Sequence, residues 1–113
     1  MTINCPDKWV MLKIESKKNL PLYKVFATWY GSYLHGDSWK ANSGCTKVKQ
    51  DGDFLLFYGY SGSVYKVYKK SYGTSGYSES ILQHLLGKVA VVDAKIEVLP
   101  EETDWFSLRY GLV

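Results

Sequence analysis

Apolar positions along this chain recur mostly at every second residue, the period of a strand with one face buried. The run Lys8-Trp9-Val10-Met11-Leu12-Lys13-Ile14-Glu15 has the length and apolar character of a first strand. The polar stretch Ser16-Lys17-Lys18-Asn19 ends it, and Pro21 blocks a helical continuation. Leu22 to Tyr30 reads as a second strand. Tyr23, Val25, Ala27 and Trp29 share one of its faces, and Leu22, Lys24, Phe26, Thr28 and Tyr30 share the other. Gly31 to Asp37 is loop-like, and Ser38 to Asn42 forms a short strand that breaks at Ser43-Gly44.

The sharpest local signal follows. Cys45 to Gln50 leads into Asp51-Gly52 and then Asp53 to Tyr58, and Asp-Gly between two such runs predicts a hairpin closed by a type I′ turn. A second tight turn at Tyr60-Ser61-Gly62-Ser63 precedes a strand from Val64 to Lys70, completing a three-stranded meander. Ser71 to Gly76 then links to the only helix. Ser78 is its expected N-cap, Glu79 suits its first turn, and Gly87 is the expected residue just past its end. Ile81, Leu82, Leu85 and Leu86 form one apolar stripe, with His84 off it and exposed. A helix of under three turns must be held by packing on a sheet. Lys88 to Leu99 reads as a further strand, with Val89, Val91, Asp93, Lys95, Glu97 and Leu99 on one face and Val92, Ala94, Ile96 and Val98 on the other. Pro100 to Asp104 interrupts it, and Trp105 to Leu112 makes a last strand. Six to eight short strands and one short helix define a mainly β, α+β chain, either a curled antiparallel sheet or a small β-barrel. Residues 1–113 fit one such domain.

Composition sharpens this in two respects. Aromatic residues make up 16% of the chain, with ten Tyr and four Trp, and such residues favour both strands and contact surfaces. The net charge of +3 is also uneven. Residues 8–70 carry eleven lysines against four acids, whereas residues 71–113 carry three cations against six acids. The basic part can face an acidic protein or nucleic acid, or can simply solubilise a sheet. Arg109 is the sole arginine, which argues against sequence-specific reading of duplex DNA. No basic segment followed by an apolar one opens the chain, and no apolar run approaches about 18 residues. The expectation is a cytoplasmic protein with no membrane partner, its two cysteines, Cys5 and Cys45, reduced and unpaired.

No catalytic centre is visible. His35-Gly36-Asp37 with Cys45 is the one grouping of catalytic residue types, and a cysteine-dependent hydrolase built on Cys45 and His35 is a minor alternative. The histidines and cysteines lack the close paired spacing of a metal site, and no Gly-rich phosphate loop is present. Neither a metal nor a cofactor is expected. Binding character is clearer. On a strand, Lys66, Tyr68 and Lys70 point the same way, an aromatic between two cations that suits base stacking with phosphate neutralisation. Tyr58 and Tyr60 extend that platform if they share its face. The segment from Trp29, Tyr30 and Tyr33 to Trp39 places two Trp and two Tyr around two glycines, the chemistry of protein-binding loops.

Tyr23-Lys24-Val25 through Trp29-Tyr30-Gly31, Gly36-Asp37-Ser38-Trp39 through Asn42-Ser43-Gly44, and Gly62-Ser63-Val64-Tyr65-Lys66 with Tyr72-Gly73 resemble small uncharacterised proteins of tailed bacteriophages. The likeness spans residues 22–77 and implies a setting, a phage protein in a bacterial cytoplasm, without an activity or a site. The resulting expectation is a non-enzymatic accessory protein. It binds a host or phage macromolecule, foremost a protein, through Trp29, Tyr30, Tyr33, Trp39, Lys66, Tyr68 and Lys70. The alternative is a small barrel that binds single-stranded nucleic acid through Tyr68, Lys66 and Lys70.

Overall fold

A computed structural model describes residues 3–16, 21–31, 36–89 and 94–110. The strands are β1 (Ile3–Asn4), β2 (Lys8–Ser16), β3 (Leu22–Trp29), β4 (Ser38–Ala41), β5 (Cys45–Asp51), β6 (Phe54–Gly59), β7 (Val64–Tyr68) and β8 (Ala94–Val98), with one α-helix, α1 (Gly76–Val89), between β7 and β8. The chain is mainly β with one helix, as the alternation predicts. It makes neither one curled sheet nor a barrel. Two four-stranded sheets form instead, a meander sheet in the order β1-β7-β6-β5 and a central sheet in the order β4-β3-β2-β8.

Three layers result, and the apolar pattern of β2 and β3 explains them. Both strands are apolar on both faces, so the central sheet needs cover on each side. Trp9, Met11, Tyr23, Val25 and Ala27 meet Cys45, Leu55, Phe57, Tyr65 and Val67 of the meander sheet in the main core. Val10, Leu12 and Phe26 point the opposite way and pack with Leu82 of α1, joined by Ile81, Leu85, Leu86 and Ile96. Trp9 anchors the first of these layers. Its ring lies 5.6 Å from Phe57, 4.6 Å from Tyr72 and 5.3 Å from Trp105, and its Nε1 donates to Tyr68 O at 2.8 Å. That bond fastens the central sheet to the end of β7 and satisfies the indole in the core.

The meander β5–β6–β7 forms as expected, with its first turn shifted by one residue. Asp51 pairs with Phe54, so Gly52 and Asp53 are the central pair. Gly52 has φ of +59° and no described non-glycine residue has positive φ, which matches type II′, glycine first, and excludes type I′. β7 ends at Tyr68, two residues before the expected limit, because Lys69–Ser71 turns into a short 3-10 segment.

The helix departs further from expectation. Its N-cap is Ser75, whose Oγ accepts the Ser78 N–H at 3.1 Å. Ser78 Oγ in turn accepts the Ser75 N–H at 2.8 Å, a reciprocal pair like a capping box with Ser in place of Glu or Gln. Ser78 is therefore the third helical residue and is buried. The helix also runs through Gly87 to Val89. The expected strand over 88–99 shortens to β8, with residues 90–93 outside the described part. The expected strand over 105–112 is absent across 105–110. Turns there tuck Trp105 and Tyr110 against the main core, and residues 111–113 lie outside the described part. Tyr72 ties this tail down: its hydroxyl donates to Leu99 O and accepts the Met11 N–H at 3.0 Å. The two-residue strand β1 pairs parallel with β7, a contact no local pattern announces.

Candidate interaction face on the meander sheet

Alternation in the meander sends Leu55, Phe57, Tyr65 and Val67 into the core and the intervening residues outward. The register then sets these outward residues in rows. Asp51, Phe54 and Tyr68 form one; Lys49, Leu56 and Lys66 the next; Lys47, Tyr58, Val64 and Ile3 the third, Val64 alone of these being buried. No element in the described layers covers this face. Phe54 and Tyr68 each keep over a third of their surface in water, and Ile3 more than half.

Cations lie over the rings. Lys47 Nζ is 4.7 Å and Lys49 Nζ 5.7 Å from the Tyr58 ring centre, and Lys66 Nζ is 4.9 Å from that of Phe54. Phe54 and Tyr68, a direct cross-strand pair, sit 5.4 Å apart with a 46° tilt. Lys66 also reaches Asp51 at 3.6 Å, the one carboxylate of these rows. Each exposed cation–π contact contributes roughly 0.5–1 kcal/mol, enough to hold a lysine in place but not to remove it from solvent. The face is therefore a positively charged, partly apolar surface whose side chains are already oriented.

The expected site residues do not gather into one patch. Lys66 and Tyr68 lie on this face. Lys70 is exposed but belongs to the 3-10 segment, so the strand alternation that would align it with them has ended. Tyr60 sits in the turn beyond β6 rather than on the strand face. Trp29, half-buried against the main core, donates from Nε1 to Cys5 O at 3.0 Å. Tyr30 is exposed, its N–H held by Asp7 Oδ2 at 2.8 Å. Trp39 lies on the other face of the central sheet, stacked on Phe26 at 5.3 Å. Tyr33 lies outside the described residues. The two tryptophans thus lie on opposite sides of the central sheet, Trp29 half-buried and Trp39 still 38% exposed beside Phe26. Lys47, Lys49 and Phe54, which the sequence reading did not single out, complete the face. Counting outward from the Asp51/Phe54 pair would have found them.

The cysteine–histidine arrangement fares differently. Cys45 is buried, and burial pushes its thiol up to about 11, partly offset by the Asn42 amide that donates to Sγ at 3.4 Å. A thiol so placed stays protonated at neutral pH and is a poor nucleophile. His35 lies outside the described residues, and Asp37 spends Oδ1 on the Gly31 N–H at 2.9 Å. Both cysteines are free thiols. Among the described residues no group of three or more His, Cys, Asp or Glu side chains could hold a metal ion, and no helix is long and apolar enough to cross a membrane.

No protein-family model matches the chain, and searches of curated proteins and of solved structures return no match.

Proposed function

We propose that this is a non-enzymatic binding protein that docks an acidic protein surface on the outer face of β5, β6 and β7. The observation that carries the reading is the set of three lysines held over the half-buried Tyr58 ring and the exposed Phe54 ring, with a single facing carboxylate. Rings supply rigid apolar contact, and the lysines supply complementarity and faster encounter with a negative partner. In the cytoplasmic, phage-encoded setting that the sequence resemblance implies, the partner is a host or phage protein.

A second reading has its own support. The Phe54–Tyr68 ring pair flanked by Lys66 also fits single-stranded nucleic acid, with bases on the rings and phosphates on the cations.

One triple variant, Lys47→Glu with Lys49→Glu and Lys66→Glu, tests both. A partner co-purified from bacterial lysate by the wild type should be lost by the variant and released by salt. Retention by the variant overturns the docking face. In parallel, a fluorescent oligothymidylate is titrated at low and high salt. Binding there, lost in the triple variant and in Tyr68→Ala, moves the assignment to nucleic acid.

A further inference from the structure

The central sheet ends at β8, which pairs with β2 on one side and with no other strand among the described residues. A free edge is a template for a further strand, and proteins commonly guard it with a charge. Of the other sheet ends, β1 and β4 span two and four residues, and β5 borders the interaction face.

The register fixes which main-chain groups of β8 look outward. The Leu99 N–H donates to Met11 O at 3.0 Å, which extends the β2–β8 ladder one step beyond the Leu12–Val98 pair. Alternation then turns the N–H and C=O groups of Leu99, Glu97 and Lys95 toward β2. Those of Val98, Ile96 and Ala94 face the open side. Any incoming antiparallel strand must bond these three residues.

The side chains then select the strand. Ile96 packs against the α1-side core, and Val98 on the same face is 37% exposed. On the opposite face Lys95 and Glu97 are exposed. Their cross-strand neighbours on β2 are Glu15 and Lys13, which pair with each other at 2.9 Å. Lys95 and Glu97 are therefore in no ion pair among the described residues.

A second β8 complements this edge. A two-fold axis through paired strands makes them antiparallel, and the contact is then the same patch on both copies. Three such registers engage more than one outward residue of each β8, centred on Lys95, Ile96 or Glu97. The first sets Lys95 against Lys95 and the last sets Glu97 against Glu97, both repulsive. The register centred on Ile96 bonds all three outward residues and sets Lys95 against Glu97 in both directions. Across the four strands one row then reads Lys13, Glu97, Lys95, Glu15, the sign changing at every step. On the other face Ala94 of each copy covers Val98 of the other.

We infer that β8 pairs antiparallel with β8 of a second copy about a two-fold axis at Ile96, joining the two central sheets into one. This stands apart from the interaction face on the meander sheet. Sedimentation equilibrium of the full chain from micromolar to millimolar concentration should show a monomer–dimer equilibrium. Lys95→Glu alone and Glu97→Lys alone should each raise the dissociation constant about 10-fold or more, because each creates two like-charge pairs per dimer. An equimolar mixture of the two variants should associate again, since every pair across the mixed interface is opposite in sign. In the wild type, the Ala94, Ile96 and Val98 amides should exchange more slowly as concentration rises, relative to that of Glu97, which β2 already holds. This last reading needs no substitution and so does not depend on a variant folding. A chain that stays monomeric throughout overturns the inference. So does a dimer that leaves those three amides unprotected, that both single variants retain, or that the mixed variants fail to re-form.

Discussion

The central and meander sheets each have one face turned away from the main core, and the two faces have opposite fates. On the central sheet, Val10, Leu12 and Phe26 are nearly or wholly removed from water, because α1 lays its Leu82 stripe across them. On the meander sheet, Phe54, Leu56, Tyr58 and Tyr68 occupy the equivalent positions without a helix, and lysines take the place of the cover. Burial serves stability in the first case. In the second, amphipathic side chains shield part of the rings and keep the surface solvated, which leaves it available to a partner.

The contrast is broken most directly at Leu82. Truncation by Leu82→Ala removes a side chain that is 2% exposed from under the helix and should cost about 3 kcal/mol, read from the shift in urea midpoint. The core shared by both sheets comes next. Folding raises the Cys45 thiol from its ordinary 9.0 to about 11, chiefly through burial. Below pH 9 the thiol is protonated in both states and stability is full. Between 9 and 11 the unfolded chain releases the proton while the folded chain holds it, so stability falls by about 2–3 kcal/mol. Tyr72, raised by burial from 10.0 to about 12, adds to the loss at the upper end. Denaturant titrations below and above this window should show the drop, and Cys45→Ala should remove its early part. The smallest effect belongs to the open face. Phe54→Ala should change stability by under about 1 kcal/mol while weakening partner binding, because over a third of the residue is in solvent and the ring contacts are one cross-strand ring and one lysine. A loss as large as that at Leu82 would mean that the two faces do not differ as described.

Legibility followed the range of the interaction responsible. The face assignment of β3 was readable because side-chain alternation is a property of a single strand: Tyr23, Val25 and Ala27 do enter the main core together. The meander was readable because its turns involve adjacent residues. Ser78 was misassigned as N-cap because Ser75, Thr74 and Ser78 are all competent caps, and only the helix axis chooses among them. The grouping of Trp29 and Trp39 with Lys66 and Tyr68 failed for a related reason. Trp29 pairs with Ser38 and Trp39 with the adjacent Thr28, so alternation sends the two indoles to opposite sides of the sheet.

By itself, the sequence determined a strand-rich chain with one packed helix, a three-stranded meander, and Lys66 and Tyr68 side by side on its outer surface. These follow from periods and turns that act within a dozen residues. The tertiary structure alone decided that the strands divide into two sheets, that α1 covers the central one, and that β1 joins β7. Those choices depend on contacts between segments as far apart as Asn4 and Tyr65, whose stability comes from burying both partners at once. No local pattern carries that information.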